Sequence, residues 1–147
     1  MELLVTRAEP RELSTCLTLR LRVFVEEQNV PAELEVDGLD AEAVHYLGWL
    51  DGEAVATART RWLEGKEVAK VERVAVLPAF RGRGFGHRIM DAVERDLAEG
   101  GALQIVLSAQ VGAIRFYEVR GYRAEGAPFW EAGIEHRKMR RLLADGP

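Results

Sequence analysis

The sequence predicts an α/β fold in which a mixed β-sheet carries helices on both faces. Three observations point there. Strand-like and helix-like segments follow one another in the order β-α-β-β-β-α-β-α-β-β, the pattern of layered sheets and helices. The chain has 147 residues, enough for one well-formed core and too few for two ordinary ones, so a single domain over 1–147 is expected. The stretch RVAVLPAFRGRGFGHRIM, residues 73–90, runs an apolar strand into an amphipathic helix through Gly82, Gly84 and Gly86.

Residues 2–7 read as a short strand. Pro10 opens a helix where a missing N–H does no harm, and Leu13, Leu17, Leu21 and Phe24 repeat at the spacing of one helix face to about Glu27. The stretch QNVPAELEVDGLDAEA is rich in Pro, Gly and acids and reads as a long loop with one helical turn. Strands at 44–50 and 54–62 flank DGE, whose Asp-Gly pair suits a tight hairpin. A second turn at Glu64-Gly65 leads to KEVAKVERVAVL, in which Glu72, Val74 and Val76 are expected on one face and Val71, Arg73 and Ala75 on the other. Residues 84–99 place Phe85, Ile89, Val93 and Leu97 one turn apart, and Gly100-Gly101 stops that helix. A buried-type strand at 103–108, a helix over about 111–120 ending at Gly121, and strands near 122–126 and 134–142 complete the chain.

Apolar residues make up 48% and charged residues 30%, the balance of a water-soluble protein. The net charge of −4 argues against nucleic acid, which selects a basic face. No apolar run approaches the roughly 18 residues of a membrane span, and the charged N-terminus lacks a signal-peptide pattern. Cys16 is the only cysteine, so no internal disulfide or cysteine metal site is expected; a reducing cytoplasm fits. His45, His87 and His136 lack metal-ligand spacing, so no metal is expected.

The glycine junction carries the chemistry. Glycines between a strand and a helix let the backbone present unobstructed N–H groups, and the first turn of a helix has unpaired donors and partial positive charge. An anion, best a phosphate or pyrophosphate, fits there. Arg81, Arg83, His87 and Arg88 add positive charge. The Rossmann pattern fails because His87 stands where its third glycine belongs, and the P-loop fails because Gly65-Lys66 is followed by Glu67. The plain alternative is a tight turn into a helix.

The residues RGRGFG after VAVLPAF match R-x-x-G-x-G, which resembles the acyl-CoA signature of the GNAT (GCN5-related) N-acetyltransferase superfamily. LSAQVGAIRFYEVRGY, 107–122, resembles a second motif of that superfamily. The opening LRLRVFVEEQNVPAELEVDGLDAEAVHYLG and the closing EAGIEHRKM look like its ElaA-like bacterial subfamily. The resemblance spans nearly the whole chain. It implies a mostly antiparallel sheet of six to seven strands with one splayed parallel pair, and an acetyl-CoA-dependent N-acetyltransferase.

By that resemblance, backbone N–H groups of Arg81, Gly82, Arg83, Gly84, Phe85, Gly86 and His87 would hold the coenzyme A pyrophosphate. Val74, Ala75 and Val76 would bind the pantetheine arm as an added strand, and the backbone near Val74 would stabilise an oxyanion. Gln110 and Phe116 would line the same arm, with Gln110 at the start of a helix. Tyr117 matches the general acid that protonates the leaving thiolate; the alternative is a core tyrosine bonded to backbone.

Glu72 is the candidate base or substrate contact, against the alternative of pairing with Arg59 or Arg73. His45 and His136 are weaker candidates for the acceptor pocket. Glu33, Glu35, Asp37 and Asp40 read either as a solvated acidic loop or as a surface for a cationic acceptor. Trp49, Trp62 and Trp130 are expected in core or edge packing, with Trp130 in a late loop. The expected acceptor is a small-molecule or peptide amine, with no nucleic acid or membrane partner, and a homodimer fits the family habit. A non-catalytic acyl-CoA-binding module stays open as the second reading.

Overall fold

The computed structural model describes residues 2–63, 65 and 67–143. Of the turn expected at Glu64-Gly65, Glu64 and the neighbouring Lys66 lie outside the described residues. Seven strands form one sheet: β1 (Leu4–Arg7), β2 (Val44–Leu50), β3 (Glu53–Trp62), β4 (Val68–Val76), β5 (Gln104–Gln110), β6 (Arg123–Glu131) and β7 (Ile134–Leu142). Their spatial order is β1-β2-β3-β4-β5-β7-β6, and among the described residues β4 with β5 is the one parallel neighbouring pair. The helices are α1 (Leu13–Arg20), α2 (Ala32–Glu35), α3 (Phe85–Glu99) and α4 (Ile114–Glu118).

Local chemistry explains most of these elements. Asp51 and Gly52 both take positive φ, 51° and 83°, the geometry of the tight hairpin turn between β2 and β3. The first helix continues past α1 through Leu21–Glu27 as a wider turn, in which the Gln28 N–H donates to the Val23 carbonyl. It therefore reaches Glu27, as the leucine spacing predicts.

The sheet separates two apolar layers. Phe85, Ile89, Met90, Val93 and Leu97 of α3 pack on Val55, Ala69, Val71, Ile105 and Met139. Cys16, Leu19 and Val23 pack on Leu47, Ala75 and Leu77 across the other face. β3 is buried continuously from Val55 to Thr60 because it has layers on both sides. No helix among the described residues is long and apolar enough to cross a membrane.

One expectation about the C-terminal region needs correction. β6 runs to Glu131 across an irregularity between Glu125 and Phe129, so Trp130 lies on a strand and not in a loop. At 71% exposed, Trp130 takes no part in the core. Gln110 ends β5 and is also the residue just before the 3-10 turn Val111–Ala113 that leads into α4, as expected.

Candidate active site

A cavity of about 990 Å³ opens along β4 and β5. Its shape follows from how those strands part. They stay in register only from Val68 opposite Gln104 to Lys70 opposite Val106, although they continue to Val76 and Gln110. Beyond Lys70 the parallel ladder ends and a slot begins.

A β-bulge in β4 sharpens the slot. Glu72 stands opposite Arg59 and Ala75 opposite Thr57, so three steps on β4 match two on β3. Arg73 absorbs the extra residue with φ 57°, and neither Arg73 nor Val74 has a register partner on β3. The bulge overturns one expectation. Val74 and Val76 pack with the α3 layer, whereas Ala75 joins the α1 layer. Glu72 stands one bulge away from Ala75, on that same side, and does not share a face with Val74 and Val76.

The glycine loop forms the first end of the cavity. Gly82 and Gly84 have φ 81° and 80°, and Gly84 is the residue before the first turn of α3. A Cβ placed on either would meet nothing within 4 Å, so the loop backbone borders open space. No side chain caps α3 there, which leaves its first N–H groups for a ligand. Gly86 serves another purpose: a Cβ on it would stand 3.2 Å from the Phe116 ring, so it lets α3 approach α4.

The positive side chains of the loop are less free than their sequence suggests. Arg81 donates from Nη1 and Nη2 to Glu27, both at 2.7 Å, and from Nε to the Val76 carbonyl. It ties the loop to the first helix. Arg83 lies 5.5 Å over the Phe80 ring and is absent from the cavity lining. His87 stacks on Phe116 at 4.3 Å and meets Arg120 through Nδ1. Val74, Ala75, Val76, Gly82, Phe85, Gln110 and Phe116 all line the cavity. Gln110 Nε2 donates to Gln28 Oε1 at 2.8 Å and so links β5 to the first helix.

Tyr117 sits at the waist, on α4. It is 8% exposed, lines the cavity, and has edge contacts with Phe116 at 4.9 Å and Tyr122 at 5.7 Å. Its hydroxyl has no hydrogen-bond partner among the described residues. Burial pushes its pKa up to about 12, so the phenol holds its proton at neutral pH.

The second end of the cavity is charged. The Arg59 side chain, fully buried, donates to Asp37, Asp40 and Glu72 at 2.8–3.1 Å. Arg20, also buried, donates to Glu35 and Asp40 at 2.8 Å. Arg73, on the bulge, reaches Glu35 at 2.9 Å. Arg61 donates to Glu72 at 2.8 and 3.2 Å, and Lys70 lies 3.4 Å from the same carboxylate. Burial works against ionised Glu72, but the bonds from Arg61 and Arg59 outweigh it and lower its pKa to about 2. Such a group is a weak proton acceptor at neutral pH.

These contacts decide other readings. Glu35, Asp37 and Asp40 are not a solvated charge run; they are the anionic half of a buried network. Glu33 is exposed and outside it. The His45 ring is buried, meets the Asp40 carbonyl at 3.0 Å through Nε2, and is not part of the cavity wall. His136 does line the cavity, with Nδ1 2.7 Å from the Ile134 carbonyl. Sequence reasoning passed over Arg61, Lys70 and Gln28. Alternation on β3 and β4 places Arg61 and Lys70 with Glu72, but nothing local says that this row meets a cavity.

Residues 12–143 match the family model described as an acetyltransferase (GNAT) domain. The chain is 40% identical to YjcF of Bacillus subtilis, an uncharacterized N-acetyltransferase, over 87% of this chain and 91% of that one. Its fold is similar to Escherichia coli ElaA, with TM-score 0.85 and 29% identity over 95% of this chain and 99% of that chain. A Pseudomonas aeruginosa acyl-CoA N-acyltransferase superposes with TM-score 0.83 and 32% identity, covering 96% of this chain and all of that one. With the splayed strands, the glycine loop and these likenesses together, the chain belongs to the GNAT acetyltransferase family.

Proposed function

We propose that this protein transfers the acetyl group of acetyl-CoA directly to a primary amine of a small-molecule or peptide acceptor. One observation carries the reading: a single cavity is lined by the glycine loop, the unpaired β4 segment, Tyr117 and the charged cluster. A similar fold, at 16% identity and TM-score 0.71, has been solved with acetyl-CoA bound.

The residues fit that co-substrate. The loop backbone at Gly82 and Gly84 borders open space at the start of α3 and suits a pyrophosphate. Val74 and Val76 present β4 backbone where β5 has moved away, so a pantetheine arm can add as a strand. The backbone at Val74, which has no register partner on β3, offers a donor for the oxygen that gains charge as the amine attacks the thioester carbon. Tyr117 gives its proton to the departing thiolate, as the new C–N bond forms and the C–S bond breaks. The amine proton passes to water at the cavity mouth, because Glu72 is too weak a base. Glu72 orients Arg61 and Lys70 on the acceptor side.

A homodimer through the free edge of β6, where Trp130 is exposed, is part of this proposal, as is a cytoplasmic setting for the lone buried Cys16. Calorimetric titration with acetyl-CoA, with ATP and NADH as controls, tests the cofactor assignment. Selective binding near −8 kcal/mol, roughly micromolar, supports it. A folded sample that ignores acetyl-CoA overturns it.

A further inference from the structure

We propose that the acceptor is an amine that also carries a carboxylate, and that Lys70 with Arg61 holds this carboxylate at the charged end of the cavity. The proposal rests on the acetyltransferase reading and narrows its substrate class.

The charges already committed at that end point this way. Each of four carboxylates is shared by at least two cations. Glu35 meets Arg20 and Arg73, and Asp37 meets Arg59 and Arg73. Asp40 meets Arg20 and Arg59, and Glu72 meets Arg59, Arg61 and Lys70. An incoming ammonium group finds no uncommitted carboxylate in this cluster. Cations are in excess there, five against four.

Three of the five, Arg61, Lys70 and Arg73, line the cavity with donors to spare, and of these Arg61 and Lys70 share the Glu72 carboxylate. Lys70 is 31% exposed, and its one ion pair among the described residues is the 3.4 Å contact to Glu72. A lysine has three donors, and that contact is long for a charge-assisted bond. Arg61 spends Nε and Nη2 on Glu72, and its Nη1 has no partner among the described residues. Glu72 thus aims two cations into the space it cannot itself serve as a base.

The sheet register adds an independent observation. Arg61, Lys70, Val106, Arg140 and Arg123 stand in one cross-strand row over five strands. Like charges directly opposite one another destabilise a sheet. Glu72 and Glu125 offset only part of this row, through Arg61, Lys70 and Arg140. Of this row Arg61 and Lys70 line the cavity, and Arg140 and Arg123 continue the positive charge along the sheet beyond it, a field that favours anions near Lys70. Glu131 also lines the cavity, but beyond the Gln110 end of β5, away from Lys70.

Spacing sets the length of the acceptor. Lys70 precedes Val74 by four residues, roughly 13 Å of extended strand before the bulge shortens it. The lysine side chain covers part of that gap. An amine at Val74 and a carboxylate at Lys70 are therefore separated by several methylenes, as in an ω-amino carboxylate.

The test compares ε-aminocaproate with its methyl ester, by thiol release with saturating acetyl-CoA and by calorimetric binding to the protein. The acid should exceed the ester by about tenfold or more in kcat/KM and in affinity. In Lys70→Gln that ratio should fall toward one, and Lys70→Arg should restore it. Retained acetyl-CoA binding shows that each variant is folded, and Arg61→Gln gives a second reading of the ratio. An ester that matches the acid in the wild-type protein overturns the proposal. A ratio unchanged in both Lys70→Gln and Arg61→Gln also overturns it. If acetyl-CoA fails to bind while the acid still binds better than the ester, the anion site stands and the acetyltransferase reading falls.

Discussion

The two ends of the cavity are built from different materials. The glycine-loop end, the donor end of the proposed reaction, is backbone: open glycines, an uncapped helix start and a bulged strand segment without a β3 register partner. The charged end, the acceptor end of the proposed reaction, is side chain: arginines and carboxylates gathered from α1, α2, the following loop, β3 and β4. Backbone recognition suits a ligand whose phosphates and amides are the same in every turnover. Side-chain charge suits a partner that must be told from other amines. On the proposed reaction, specificity would be set at the charged end.

Substitutions can break that division or sharpen it. The largest effect belongs to the waist between the ends. Tyr117→Phe should lower kcat by about 10²- to 10⁴-fold, the usual span for a general acid, while acetyl-CoA affinity measured by calorimetry changes little. Unchanged turnover would remove Tyr117 from the chemistry. With its pKa near 12, Tyr117 also imposes no loss of kcat up to pH 10, which a pH–rate profile reads directly.

Next in size is Arg59→Ala, at the centre of the acceptor end. It would leave Asp37, Asp40 and Glu72 short of their shared cation. Breaking a buried ion pair from one side costs about 3–5 kcal/mol, to be read from the denaturation midpoint. A loss below about 1 kcal/mol would show that the network is dispensable to the fold.

Acid should reveal the same asymmetry. Glu72, Asp37 and Asp40 all have pKa values below their ordinary range because arginines hold the ionised forms. Their folded pKa lies below the unfolded one, so they stabilise the protein fully above the unfolded value, about 4. That stability is lost as pH falls from there toward about 2, the folded value of Glu72. Denaturant midpoints between pH 7 and 3 should fall in the wild-type protein and fall less in Arg59→Ala. Equal slopes would take these carboxylates out of the pH response.

A smaller effect belongs to the donor end. Gly84→Ala places a side chain at φ 80° and should cost roughly 1–2 kcal/mol of stability, and it should weaken acetyl-CoA more than Tyr117→Phe does. The smallest is Trp130→Ser, exposed on the edge of the sheet, which should change protomer stability by no more than about 0.5 kcal/mol. Sedimentation of that variant checks the proposed dimer: a wild-type dimer should weaken, and an unmoved one would exclude this edge.

The geometry of the glycine junction was legible in the sequence because its signals are local. Three glycines, a helix start and Phe116-Tyr117 lie within short stretches, and spacing alone distinguishes this loop from a P-loop or a dinucleotide fold. The acceptor end was not. Glu35 and Arg20 are separated by 15 residues, and Arg73 by 38 residues from Glu35, so their pairing depends on how helix and strand meet. The bulge at Arg73 hid Glu72's true face, since simple alternation gives no warning of one extra residue.

The sequence by itself determined the order of elements, the two helix-covered faces, the glycine-built junction at RGRGFG and the placing of Tyr117 on a helix beside it. Periodicity, turn chemistry and contiguous motifs encode those properties within a few residues of one another. Only the tertiary structure decided where β4 and β5 part, which face Glu72 takes, and that the acidic loop is neutralised by buried arginines. Those outcomes depend on register between strands and on charge pairing across the chain. In the low-dielectric interior a carboxylate must find a cation, and the fold determines which one.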